Sequence, residues 1–180
     1  MNPSLATSPV EELTNPALRI ETFLDFVDRV AEIRGVNVPP IVDIEELRSL
    51  PIGTFGRTWA DFLDKNQLKP ITTGSRRKQL HDGVHVLTGY GTDPIGEAEV
   101  QAFLVGAKFR LVNLLLGLGL LRLIYRQQAQ KTAALQRHFN WELLWSAYQR
   151  GYDSRFDPDA WEPELLWDLP LAKVQSLFGV

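Results

Sequence analysis

Residues 81–97 read HDGVHVLTGYGTDPIGE, and this stretch predicts two helices joined by a short glycine turn. Glycines at positions 89 and 91 interrupt the first helix, because glycine adopts turn conformations at little steric cost. Asp93 followed by Pro94 is typical of a helix start, with a capping carboxylate and a proline at the first helical position. The stretch therefore predicts a helix hairpin, a basic unit of all-α proteins.

Four potential metal ligands lie on the two sides of this turn. His81 and His85 are four residues apart, so their imidazoles project about 40° apart on one helix face, and Asp82 lies in the same sector. Glu97 begins the next helix, where a short hairpin brings it beside the histidines. Two imidazoles and two carboxylates suit Zn²⁺, Fe²⁺ or Mn²⁺ and, less readily, Mg²⁺. In the alternative interpretation the histidines pack or cap and the acids are solvated.

Helix signals continue on both sides of the hairpin. No segment alternates convincingly with a period of two, which indicates an all-α protein rather than a sheet. Residues 1–180 are expected to form one domain, a bundle of about seven helices with the metal site at a helix hairpin, preceded by a loosely ordered segment at 1–14. The expected helices cover about 15–35, 43–50, 54–66, 76–88, 94–125 and 131–150, and Asp157 and Asp168 mark further helix starts. Gly117 and Gly119 could bend or end the long helix, and Gly151 should stop the one after it.

Length and composition exclude several classes of protein. A chain of 180 residues suits one domain, and a net charge of −3 argues against nucleic acid as a partner. Without cysteine, any metal must be bound by imidazole and oxygen. The apolar stretch 111–121 is too short to cross a membrane, which takes about 20 residues. Residues 1–12 carry no targeting pattern, which predicts an unprocessed cytoplasmic chain.

Two motifs resemble the Coq-four family of ubiquinone (coenzyme Q) biosynthesis proteins. The first is His81-Asp82-x-x-His85 followed after 11 residues by Glu97, which itself follows Gly96 as in the family's G-E pair. The second is residues 50–57, LPIGTFGR, which is similar to the family's L-P-x-G-T-x-G-R segment. The resemblance covers most of residues 47–107 well and the remainder weakly. Gly83 and Val84 depart from it, since bulkier apolar residues are frequent there in the family. A glycine at mid-helix suggests close approach by another helix or by substrate; alternatively, the helix simply tolerates it.

The resemblance implies a helical metalloprotein that binds long polyprenyl lipids and associates with membranes without crossing them. Its metal ligands would be His81, Asp82, His85 and Glu97, with zinc as the expected metal. The resemblance also implies late head-group chemistry in quinone synthesis, linked either to oxidative removal of the carboxyl group at ring C1 or to organising the other biosynthetic enzymes. The absence of a mitochondrial targeting segment fits a bacterial homologue. We also expect the protein to be homo-oligomeric and peripheral on the inner face of a membrane.

The helix after the turn suggests a path for such a lipid. At about 100° per residue, Leu104, Leu111 and Leu115 share the face of Glu97 and could contact the tail. Lys108 on the same face, together with Arg57, Arg77 and Lys78, could bind a phosphate or ring carboxylate. Alternatively, the leucines fill the protein's own core and the cations are solvated.

Aromatic residues are concentrated in the last 40 residues. Trp141, Trp145 and Tyr148 follow helical spacing, which predicts a buried stripe, although aromatic residues also gather at membrane interfaces.

Three functions remain open from the sequence. The first is a metal-dependent protein that binds the prenyl lipids of quinone biosynthesis. The second is a non-catalytic lipid carrier or scaffold with a structural metal, and the third is a metal-dependent hydrolase without a lipid partner.

Overall fold

The computed structural model describes residues 37–128 and 140–180, with the side chains of 111–113 and 123–128 excepted. Within that part the chain is helical and has no strand, only the isolated bridges Asn37 to Ser75 and Thr54 to Pro170. This confirms the all-α prediction. The segment 1–14, the helix expected at 15–35 and the start of the one expected at 131 lie outside the described residues. The elements are α1 (Ile44–Ser49), α2 (Phe55–Lys65), α3 (Arg76–Gln79), α4 (His81–Thr88), α5 (Pro94–Ala107), α6 (Leu111–Gln128), α7 (Trp141–Asp153), a 3-10 helix (Pro163–Leu165) and α8 (Leu171–Phe178).

Helix starts follow the capping residues of the sequence. The Asp43 carboxylate accepts hydrogen bonds from the backbone N–H groups of Glu45 and Glu46 and begins α1. Asp93 caps α5 in the same way through Ile95 and Gly96, with Pro94 at the first helical position. A side-chain acceptor there satisfies N–H groups that have no partner inside the helix. The hairpin between α4 and α5 therefore forms where it was predicted.

The helix predicted over 76–88 is interrupted at Leu80. Its backbone has φ −92° and ψ 2°, outside the regular helical range, so α3 and α4 are separate. The buried amide of Gln79 anchors α3 to the preceding segment, accepting from Ile41 N–H and donating to Val38 O, each at 3.0 Å. These contacts span about 40 residues of sequence, so local periodicity does not reveal them.

The long helix predicted over 94–125 breaks at Lys108 rather than at Gly117 or Gly119. Lys108 is extended, with φ −157°, and both glycines lie inside α6. The ammonium group of Lys108 pairs with Asp157 at 2.8 Å and with Asp159 at 3.1 Å. Asp157-Pro158 itself begins a turn rather than a helix, and α8 begins only after Pro170. The segment that follows α7 thus supplies the acidic partners of Lys108 at the break.

The packing of α7 against α5 depends on two glycines. A Cβ atom at Gly151 would lie 2.1 Å from Phe103 O, and one at Gly106 would lie 2.1 Å from Tyr148 O. The prediction that Gly151 stops the helix is wrong, since α7 continues to Asp153. Gly151 instead lets the two backbones meet.

The main core lies between α2, α4, α5 and the C-terminal segment. Trp59 and Trp161 stack with ring centroids 6.3 Å apart, beside Phe55. A Cβ atom at Gly83 would lie 2.4 Å from the Trp59 ring, so the close approach suggested by this glycine is that of α2. This core fixes the face of α4 that carries the histidines.

Candidate metal centre

Three of the four predicted ligands converge between α4 and the first turn of α5. The Nε2 atoms of His81 and His85 are 3.3 Å apart. Glu97 Oε2 lies 3.2 Å from His81 Nε2, and Glu97 Oε1 lies 3.2 Å from His85 Nε2. The hairpin closes over Gly89, which takes the left-handed conformation at φ 79° and ends α4. Spacing on one helix and the turn that follows it are therefore enough to assemble the cluster.

His85 is held in one orientation by its surroundings. It is 1% exposed, its ring stacks on Phe62 at 5.7 Å, and its Nδ1 atom lies 3.3 Å from the carbonyl oxygen of Tyr90. Since a carbonyl only accepts, Nδ1 carries the proton in that contact, and the Nε2 lone pair of the neutral ring faces the cluster. A metal-binding histidine usually donates its second ring N–H to such an acceptor, which fixes the orientation of the ring.

The ionised carboxylate of Glu97 and the two imidazoles favour a positive charge at the centre of the cluster. Burial opposes ionisation of Glu97, but hydrogen bonds and charges from both imidazoles outweigh it and hold the pKa of Glu97 at about 2. Burial likewise lowers the pKa of His85, yet the hydrogen bond and charge of Glu97 bring a net rise. Without a cation, an imidazole proton must separate the facing lone pairs.

The donor geometry also fits a metal ion. One ligand atom from each of the three residues can be chosen so that all lie within 4.8 Å of one another. Zinc–nitrogen and zinc–oxygen bonds of about 2.0–2.1 Å in a tetrahedron place neighbouring donors roughly 3.3 Å apart. The two Nε2 atoms are 3.3 Å apart, and each lies 3.2 Å from a different oxygen of Glu97. His81, His85 and Glu97 could therefore hold a metal ion.

Asp82 lies beside this cluster but is not one of its three members. Its carboxylate is buried, which raises its pKa, and the charge of Glu97 raises it further against the opposing effect of the two histidines. Asp82 as a fourth ligand stays a prediction.

The predicted head-group cations are spread over other contacts. Arg57 pairs with Asp61 at 2.8 Å, and Arg77 pairs with Asp159 at 3.2 Å. Lys108 binds the aspartates of the tail, and Lys78 is half-buried on α3, three residues before His81. The head-group role of these cations stays a prediction.

An apolar groove of about 490 Å³ adjoins the first turns of α5. Its floor is α5, and α6 and α7 form its two walls. The lining side chains are uncharged: Ala98, Gln101, Ala102 and Val105 of the floor, Leu114, Gly117, Leu118 and Leu121 of α6, and Trp141, Leu144, Trp145 and Tyr148 of α7. A volume in this range suits a small-molecule site, which takes about 300–1,000 Å³.

The groove differs from the lipid path expected from the sequence. Leu104 is buried in the main core and Leu115 is exposed, and neither is among the side chains that line the groove; the side chain of Leu111 lies outside the described part. The prediction of a buried aromatic stripe is wrong, since the side chains of Trp141 and Trp145 are 58% and 62% exposed. Their helical spacing correctly indicated a shared face, but that face borders the groove.

Comparison with known proteins gives one consistent set of relatives. No model of a protein family matches the chain. It is 36% identical over 76 residues to the Xenopus tropicalis mitochondrial COQ4 homolog, covering 34% of this chain and 27% of that protein. It is 28% identical over 153 residues to the mouse COQ4 homolog, covering 77% of this chain and 54% of that protein. The chain thus spans about half or less of the length of these curated relatives.

A solved structure shares the fold. It is a proposed ubiquinone biosynthesis protein of Nostoc punctiforme, with a TM-score of 0.62 and 21% identity over 79% of this chain and 70% of that one. The sequence matches confirm the resemblance that the two motifs indicated: this chain is similar in sequence to the COQ4 ubiquinone biosynthesis proteins.

Proposed function

We propose that this chain binds a prenylated quinone precursor, with its head group at the metal centre and its tail in the apolar groove. The observation that carries the proposal is that the two features adjoin on one helix. Glu97 belongs to the metal cluster, and the next residue, Ala98, lines the groove. The relatives, named as ubiquinone biosynthesis proteins, support a quinone precursor as the amphiphile.

The exposure of the ligands indicates where a head group would enter. The side chains of His81 and Glu97 are each 28% exposed, whereas His85 is almost fully buried. A head group would therefore approach from the side of His81 and Glu97, with His85 held behind them by Tyr90 O. Bound zinc, the metal that these donors suit well, would polarise a head-group oxygen or hold water.

In the catalytic form of this proposal, the reaction is the oxidative removal of the carboxyl group at ring C1 that the resemblance implies. The bond between C1 and the carboxyl group would break with loss of CO₂, and an external oxygen-atom donor would act as the two-electron oxidant and supply the oxygen of the new C1 hydroxyl group. The second candidate is a non-catalytic carrier or scaffold that organises other quinone-biosynthesis enzymes. Its support is that the cluster ties α4 to α5 through a buried histidine, as a structural metal would.

A peripheral membrane position is part of the proposal. Among the described residues, no helix is both long and apolar enough to span a bilayer. The groove walls nevertheless leave large apolar side chains exposed, among them Leu118 and Trp145, and Phe109 is exposed nearby. Tryptophan and leucine at one surface suit a lipid interface. Flotation with liposomes should recover the wild-type chain and less of a Leu118→Ser, Trp145→Ser variant; equal recovery would contradict this position.

The test of the function combines lipid and metal analysis. Native mass spectrometry of the chain purified from its own cells should show a co-purifying prenyl lipid, and elemental analysis should show about one zinc per chain. Lipid-free protein would count against both candidates. To separate them, His85→Ala is introduced into cells that depend on this chain. Loss of product with folding and partner binding intact would exclude the pure scaffold, whereas full product would exclude catalysis at this centre.

A further inference from the structure

The floor of the groove contains one polar side chain, that of Gln101. It is 5% exposed, and its Oε1 atom is buried without a hydrogen-bond partner in the part of the chain that the structure describes. Leaving a buried amide acceptor unpaired costs about 1–3 kcal/mol. Gln79, which is also buried, shows the usual outcome, because its amide is bonded to Ile41 N–H and Val38 O. The Oε1 atom of Gln101 thus lacks the partner that a buried acceptor normally has.

Gln101 lies between the metal centre and the groove. At about 100° per residue it projects about 40° from Glu97, and Ala98 and Val105 project about 100° and 80°. One turn of helix, about 6 Å, separates Gln101 from Glu97 along the axis. Gly117 of α6 faces the Gln101 stem, where an added Cβ atom would lie 3.7 Å from Gln101 Cβ. The missing side chain at Gly117 leaves room beside the amide.

We propose that Gln101 is a specificity-determining residue that accepts a hydrogen bond from an uncharged hydroxyl of the bound amphiphile, where its ring joins its tail. The inference rests on the proposed function, since it needs a ligand in the groove. Oε1 is an acceptor, so its partner must donate, and the terminal torsion of glutamine is soft enough to turn the amide toward the groove. The twelve lining residues carry no charge, so this position lacks the cation that an anionic oxygen would need.

A pair of matched probes tests the hydroxyl. The probes are 2-geranylphenol, whose hydroxyl is next to the tail on the ring, and geranylbenzene, which lacks only that hydroxyl. Their dissociation constants are measured on the full chain by quenching of tryptophan fluorescence, since Trp141 and Trp145 line the groove. Wild-type protein should bind the phenol about tenfold tighter.

Variants then assign the preference to Gln101. Gln101→Leu should bind both probes equally, with geranylbenzene bound at least as tightly as by wild type. It should also raise the melting temperature of the ligand-free protein, because the unpaired amide is gone. Gln101→Met, which keeps the length of the side chain, serves in parallel should the branched residue disturb folding. Leu118→Ala is the control, because it removes apolar contact alone and should weaken both probes by a similar factor.

The outcomes separate this inference from the proposed function. Equal binding of both probes by wild type, or a preference retained in both Gln101 variants, overturns the role of Gln101 and leaves lipid binding intact. If wild type binds neither probe, the groove is not an amphiphile site, and both proposals fall.

Discussion

Replacing Glu97 with glutamine should destabilise the metal-free protein in acid and weaken metal binding at alkaline pH. In the metal-free chain, the carboxylate is stabilised by the imidazoles, which hold its pKa at about 2 instead of 4.5. That difference corresponds to about 3 kcal/mol of native-state stabilisation, and partial exposure of the side chain reduces it to about 1–3 kcal/mol.

The pH window follows from the directions of the two shifts. A lowered carboxyl pKa stabilises the fold above pH 4.5, and that contribution is lost as pH falls towards 2. A raised histidine pKa stabilises the fold below pH 6.5, and that contribution is lost as pH rises through the folded-state pKa of His85. Both shifts arise from the same attraction between the Glu97 carboxylate and a protonated imidazole, which requires the carboxyl to be ionised and the imidazole to be charged. Glu97→Gln should therefore lower the free energy of unfolding most between these limits and little at pH 8.5.

Urea unfolding in EDTA at pH 5.5 and pH 8.5 measures this cost. Glu162→Gln, which removes an exposed carboxylate elsewhere, is the control and should change the free energy of unfolding little at either pH. With zinc instead of EDTA, the pH dependence of this cost should reverse. The free energy of unfolding of wild type should then exceed that of Glu97→Gln most at pH 8.5. An equal cost of Glu97→Gln at both pH values without metal would refute the coupling between Glu97 and the imidazoles.

Three further predictions follow from the described contacts. Zinc affinity measured by competition with a chelator should fall as pH drops through the raised pKa of His85, because protons compete for the imidazole nitrogens; a flat profile would exclude His85 as a ligand. Gly151→Ala should lower the free energy of unfolding by about 1–3 kcal/mol, since its Cβ would meet Phe103 O, whereas Gly119→Ala, with open space around it, should be neutral or stabilising; equal effects would contradict the α5–α7 contact. Lys108→Met should speed amide hydrogen exchange around 108–110 and leave exchange in α2 unchanged, because the ion pairs with Asp157 and Asp159 hold the break; unchanged exchange at 108–110 would show that they do not.

The helix hairpin and its three converging ligands could be predicted from the sequence because their causes are local. The cap at Asp93, the left-handed glycine at position 89 and the four-residue spacing of His81 and His85 all act within 17 residues. A turn this short leaves few ways for two helices to meet, so the first turn of α5 must face the end of α4. The signals for α1 and α2 were local in the same sense.

The groove was decided by tertiary structure. Lys108 lies in a stretch with helical pattern, yet its partner Asp157 is 49 residues away, and the helix breaks beside that ion pair. Periodicity likewise shows that Trp141 and Trp145 share a face of α7, but not whether another element covers that face. Helical pattern and capping depend on neighbours in sequence, whereas burial depends on neighbours in space. The position of the groove on α5, about a quarter turn from Glu97, could therefore emerge only when α6 and α7 packed against it.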